Sequence, residues 1–145
     1  MSGTGTAVTV HIDGGARGNP GPAGVGVVVS RDGEVLRARG YFLGRKTNNE
    51  AEYTGLLKGI ELATAMQAAS LTIVSDSELL VHQVNGKYRC KAANLKPLLA
   101  DAKRGLEAFD TWQVRHVLRS DNVDADRLAN QAMDAAADVS EDPAE

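Results

Sequence analysis

Between Ala7 and Leu43 the chain carries three strand signals in succession, and at Asn48 its hydrophobic period turns helical. That order confines it to a mixed α/β fold. Residues 7–14 alternate as a strand, with Val8, Val10 and Ile12 on one side and Thr9, His11 and Asp13 on the other. A turn-rich stretch, Gly14–Gly24, leads into the apolar run Val25–Val29, and Arg31-Asp-Gly-Glu34 reads as a hairpin turn into a third strand, Val35–Leu43. From Asn48 to about Met66, Leu56, Ile60 and Ala63 recur at helical spacing. A strand over Leu71–Asp76, a short helix near Ser77–Val84, a helix from about Asn94 to Phe109, a strand over Trp112–Leu118 and a helix from about Asn122 to Ala137 follow. The order implies a five-stranded mixed β-sheet flanked by α-helices.

One domain is expected over residues 1–137, since 145 residues with 43% hydrophobic content can bury a real core. Asp138–Glu145 is acidic and aperiodic, and is expected to be an unordered tail. No apolar run is long enough to span a bilayer, and the first residues lack the basic and apolar regions of a secretory signal. Cys90 is the single cysteine, so no intramolecular disulfide can form, and a reducing cytoplasm is the simplest setting. The glycine-rich segment leads into a strand rather than a helix and is followed by no Gly-Lys-Ser/Thr, which argues against ATP or NAD binding. Its glycines suit a wide turn whose backbone can approach a ligand closely. A net charge of −3 argues mildly against holding nucleic acid by bulk electrostatics. Bound cations would change the local sign.

Four acidic residues sit where local structure does not call for a charge. Asp13 and Asp76 close strands; Glu52 and Asp126 lie on predicted helices, on the side that carries apolar residues. A carboxylate costs several kcal/mol to desolvate unless it is paired or bound to a cation. Their convergence would suit a divalent metal such as Mg²⁺ or Mn²⁺, which favour hard oxygen ligands. Simpler roles exist for some of them. Asp13 precedes Gly-Gly and could initiate a turn, and Asp76 precedes Ser77 and could cap a helix. Glu50, by contrast, completes the capping box Thr47-Asn-Asn-Glu50 and faces solvent with Thr54, Lys58 and Glu61. Ser120 or Asp121 can cap the last helix, with Asp124 favourable in its first turn and Asp126 further along, on the face of Asn130 and Met133.

Four segments, Ile12–Gly24, Thr47–Glu52, Val74–Ser77 and Asn122–Asn130, resemble in order and spacing the four motifs of type 1 ribonuclease H, and the similarity covers roughly residues 7–137. The resemblance implies a ribonuclease H-like fold and an endonuclease that hydrolyses the RNA strand of RNA–DNA hybrids with two Mg²⁺ ions (Mn²⁺ a possible substitute), giving 5′-phosphate and 3′-hydroxyl ends. It places the metal ligands at Asp13, Glu52, Asp76 and Asp126, and the hybrid contacts at Asn19, Thr47, Asn48 and Asn49. The glycine-loop backbone at Gly14 and Gly15 joins them. A monomer is the family norm.

The chain departs from many relatives in two respects. Val84–Asn94 is too short for a basic protrusion, with Lys87, Arg89, Lys91 and Lys96 as a reduced substitute. The mobile histidine of many members has two candidates for its role here: Arg119, three residues before Asn122, and His116, ten residues before Asp126. The rival from another class is a non-catalytic hybrid-binding module on the same fold, whose signature would be a missing carboxylate. All four are present.

Overall fold

The computed structural model describes residues 6–143. Strands β1 (Ala7–Ala16), β2 (Gly21–Arg31) and β3 (Glu34–Lys46) form an antiparallel meander, followed by α1 (Asn48–Ala65), β4 (Ser70–Ser75), α2 (Glu78–Val84), α3 (Lys96–Glu107), β5 (Thr111–His116), α4 (Val123–Ala135) and β6 (Val139–Ser140). The sheet order is β5-β4-β1-β2-β3-β6, with β1, β4 and β5 mutually parallel. The mixed sheet with helices is the expected architecture. The hairpin between β1 and β2 differs: both strands run further into the glycine-rich stretch than its composition suggests, leaving Arg17–Pro20 as a tight turn instead of a wide one. Arg17 N donates to Pro22 O at 2.8 Å to close it.

Strand alternation sends side chains to two faces. Val8, Val10, Ile12, Val27, Val29, Leu71 and Ile73 bury against α1, α2 and α3. Val28 and Ala38 meet Ala125 and Leu128 of α4 on the other face. Two glycines set how closely the helices lie. A Cβ on Gly14 would stand 2.6 Å from the carbonyl of Ala51 in α1, and one on Gly26 would overlap the carbonyl oxygen of Ala125 in α4. Only a residue without a side chain lets both helix backbones reach the sheet beside Asp13.

The sixth strand corrects the expected count of five, and with it the expected unordered tail. Val139–Ser140 pairs with Arg39–Gly40 of β3. The acidic residues that made the segment look solvated satisfy the sheet edge instead: Asp138 Oδ1 accepts from Phe42 N, and Asp142 Oδ1 from Ala38 N, each at 2.9 Å. Arg39 and Arg37 pair with Asp142, and Arg127 of α4 with Glu141. A bare edge strand exposes unpaired amides, and carboxylates are well matched to take them. Residues 144 and 145 lie outside the described region.

Candidate active site

Each carboxylate is positioned by a separate device. Thr47 is the N-cap of α1: its hydroxyl accepts from Glu50 N at 3.1 Å while Glu50 Oε1 accepts from Thr47 N at 2.9 Å, the expected capping box. Glu50 is thereby occupied, and Glu52, two residues on, lines the same cleft as Asp13. Asp76 follows β4 but does not cap α2. Ser77 does, accepting from Leu80 N at 3.2 Å. Asp76 is left available, and its side chain is only 10% exposed. The start of α4 differs from expectation as well. Its N-cap is Asn122 rather than Ser120 or Asp121, and no side chain caps its amides. Asn122 is buried and donates through Nδ2 to Ile12 O at 2.8 Å, fastening α4 to β1 at the residue before Asp13. Asp126 then falls in the first turn of α4, where helix polarity favours a negative charge more than its place in the sequence suggested.

Electrostatics bind the four into one site. Burial, then the charge of Asp76, then a hydrogen bond and charge from Asp126 and the charge of Glu52, push the Asp13 carboxyl up to about 8. Burial and Asp76 raise Glu52 to about 7, against a hydrogen bond from Ser77 and the positive charge of Arg119. Asp13 is the hub, in contact with Asp126 and close to the other two. Among the described residues no three acidic, histidine or cysteine side chains are drawn together tightly enough to hold an ion as they stand. The group fits a cation by its chemistry: a carboxyl that retains its proton at neutral pH because it is buried beside other carboxylates loses that proton when a dication takes its place.

Asp13, Gly14, Gly15, Asn48, Glu52, Arg119 and Asp126 line an open cleft of about 320 Å³, joined by Ala16, Arg17, Ala129, Asn130 and Met133. Asn19 stands at the rim: its Oδ1 accepts from Asn48 N at 3.0 Å, while Asn48 Oδ1 accepts from Ala16 N at 2.7 Å. The glycine turn and the first turn of α1 are thus one rigid edge. Thr47 and Asn49 lie at the same helix start, Asn49 exposed. Arg119, in a short 3₁₀ turn (Arg119–Asp121), reaches Asp76 Oδ2 at 3.8 Å with its side chain 87% exposed. His116 is exposed at the end of β5, beside Ser75, and is not among the residues lining the cleft. Lys87, Arg89, Lys91 and Lys96 are exposed on the connection between α2 and α3 and at the start of α3, with no helix of their own before Lys96. Arg17 was not singled out in the sequence, and Asn130 only as a neighbour on the Asp126 face. The one available signal for Arg17 was a cation inside the glycine turn.

Residues 11–132 match the family described as reverse transcriptase-like. The chain is 40% identical to ribonuclease HI of Halobacterium salinarum over 133 residues, which are 91% of this chain and 67% of that protein. It is 42% identical over 132 residues to the bifunctional protein Rv2228c of Mycobacterium tuberculosis, spanning 90% of this chain but 36% of that protein. Among solved structures, RNase H1 from Halobacterium salinarum superposes with a TM-score of 0.87 at 38% identity, over 89% of this chain and 98% of that one. LC11-RNase H1 in complex with RNA/DNA hybrid gives 0.85 at 35% identity, with the same coverage of 89% and 98%. Within the reverse transcriptase-like group the chain belongs to the type 1 ribonuclease H family. Among the described residues no helix is long and apolar enough to cross a membrane.

Proposed function

We propose that this chain is an endoribonuclease that hydrolyses the RNA strand of RNA–DNA hybrids, acting as a monomer. The observation that carries the reading is the convergence of Asp13, Glu52 and Asp126 on one cleft whose rim is the Asn19–Asn48 edge, with Asp76 at its margin beside the cleft-lining Arg119. Those four carboxylates would hold the divalent cations, Mg²⁺ in the first instance. Cations held there would supply activation of the attacking water, whose oxygen bonds to phosphorus, and would offset charge on the phosphate and the leaving oxygen. The bond broken is between phosphorus and the RNA 3′-oxygen, which takes up a proton, so the products carry 5′-phosphate and 3′-hydroxyl ends.

The protein's own groups supply orientation. The amide oxygens of Asn19 and Asn48 are engaged within the protein. Their NH₂ ends are the ones free to donate, which matches the 2′-hydroxyls and base-edge acceptors of a wide minor groove. Thr47 and Asn49 extend that edge along the duplex; the space at Gly14 is taken by α1, whereas at Gly15 a side chain would meet only Asn48 Oδ1 at 3.9 Å, so that backbone is open to a substrate backbone. Arg119, mostly solvated beside Asp76, suits a phosphate contact that can form and release during turnover; His116 is the weaker candidate for that part. The deciding experiment is Asp76→Asn. It leaves the fold intact by circular dichroism and abolishes cleavage of end-labelled hybrid in Mg²⁺. Near wild-type turnover in that variant would refute the assignment, as would equal cleavage of double-stranded DNA by the unaltered protein.

A further inference from the structure

The cleft wall opposite α1 carries a hydrogen-bonded chain that ends on a candidate metal ligand. Arg17, in the glycine turn, pairs through Nη1 with Asp134 at 2.7 Å. Its Nη2 donates to Asn130 Oδ1 at 3.2 Å and to Asn130 O at 3.4 Å. An amide whose oxygen accepts from a guanidinium must turn its NH₂ the other way. Asn130 Nδ2 accordingly donates to Asp126 O at 3.0 Å and reaches Asp126 Oδ1 at 3.4 Å. Asn130 and Arg17 both line the cleft beside Asp126.

We infer that Asn130 and Arg17 are positioning residues: the arginine orients the Asn130 amide, and that amide holds the Asp126 carboxylate toward Asp13 for cation binding. The inference rests on the reading of Asp126 as a metal ligand. A simpler account is available for half of the geometry, because an Asn in a helix commonly bonds the carbonyl four residues back. That account leaves the Asn130 amide indifferent to Arg17, and the difference is measurable. The arrangement also makes one short turn serve two ends of the site, since Asn19 of the same turn fastens to α1 through Asn48 N while Arg17 fastens to α4. Outer partners of this kind commonly change metal affinity by about 10- to 100-fold when removed.

The test is calorimetric titration of the purified full chain with Mn²⁺ alone, without substrate. Asn130→Ala weakens Mn²⁺ binding about ten-fold, and Arg17→Ala weakens it in the same direction by a smaller factor. The double variant is no weaker than Asn130→Ala alone, because both act through one path. Hybrid binding in chelator shifts less than two-fold, on the order of measurement error, for Asn130→Ala, which separates loss of positioning from loss of substrate grip. Alanine is helix-favouring at position 130, so the variant folds, and its unfolding midpoint confirms that. Wild-type Mn²⁺ affinity in Asn130→Ala, or additive losses in the double variant, overturns the inference. Asp126→Asn run alongside keeps the two levels apart. If it binds Mn²⁺ normally, the ligand assignment itself fails; if it binds weakly while Asn130→Ala does not, only the positioning role fails.

Discussion

Helices α1 and α4 lie on opposite faces of the sheet, and each delivers one carboxylate beside Asp13, but they are held by different means. Helix α1 is written locally. A complete capping box starts it, and Tyr53, Leu56, Ile60 and Ala63 bury in the large core on its face. Helix α4 has no capping side chain and a small core. It depends on distant partners: Asn122 on Ile12 O, Arg17 on Asp134, and Glu141 of the tail on Arg127. Glu52 is therefore placed by a code spanning a few residues, and Asp126 by contacts that cross more than a hundred positions of chain for Asn122 and Arg17.

The most disruptive way to break that contrast is Gly26→Ala. The added methyl has to displace the Ala125 carbonyl, which is backbone and cannot swing aside. Overpacking typically costs about 1–3 kcal/mol, and a backbone obstacle belongs at or above the upper end. Unfolding in urea shows a loss of about 3 kcal/mol, and the surviving folded protein shows weaker Mn²⁺ binding because α4 has moved off the sheet. A stable variant with normal metal affinity would mean that the glycine contact does not set where Asp126 stands.

A gentler probe acts at Asp13, the strand residue beside which the two helices place Glu52 and Asp126. The folded state raises Asp13 from 3.8 to about 8 and Glu52 from 4.5 to about 7. Stability from both groups is fully present below pH about 4, where folded and unfolded chains are both protonated, and is lost as pH rises through about 7 and 8. In chelator the urea midpoint falls between about pH 5 and pH 8.5. Adding Mg²⁺ at the higher pH restores it, since a ligand of the folded state stabilises by mass action. Asp13→Asn removes the larger part of the pH dependence. A chelator midpoint that rises with pH, or an Asp13→Asn profile identical to the unaltered protein, would show that burial and neighbouring charge at Asp13 are too weak to matter.

The same contrast explains what could be read from the amino acids. The strand meander, the Leu56–Ile60–Ala63 stripe and the Thr47–Glu50 cap are short-range patterns, and all three stand in the structure as expected. Asp76 was ambiguous because Asp and Ser are both good caps and sit side by side; coordinates resolve the choice in favour of Ser77. The cap of α4 is Asn122 rather than Ser120 or Asp121 because Asn122 is committed to a strand far away, which no local propensity reports. The tail failed for a related reason. Its carboxylates bond amides of β3 and guanidinium groups of Arg37 and Arg39, and acidic composition without periodicity carries no trace of such partners. Arg17 carries no functional signal in the sequence because a lone cation in a turn is ordinarily solvated.

The smallest expected effect sharpens the comparison most directly. Thr47→Ala removes the hydroxyl that accepts from Glu50 N but leaves every tertiary contact of α1 in place. Loss of such a cap costs about 1 kcal/mol. If α1 is locally coded, the damage stays local. Amide exchange quickens in the first turn, at Glu50 and its neighbours, while the α4 amides keep their protection apart from the common shift in global stability. Exchange that quickens equally in both helices would show that the two are one cooperative unit, and that the capping box governs Asp126 as much as Glu52.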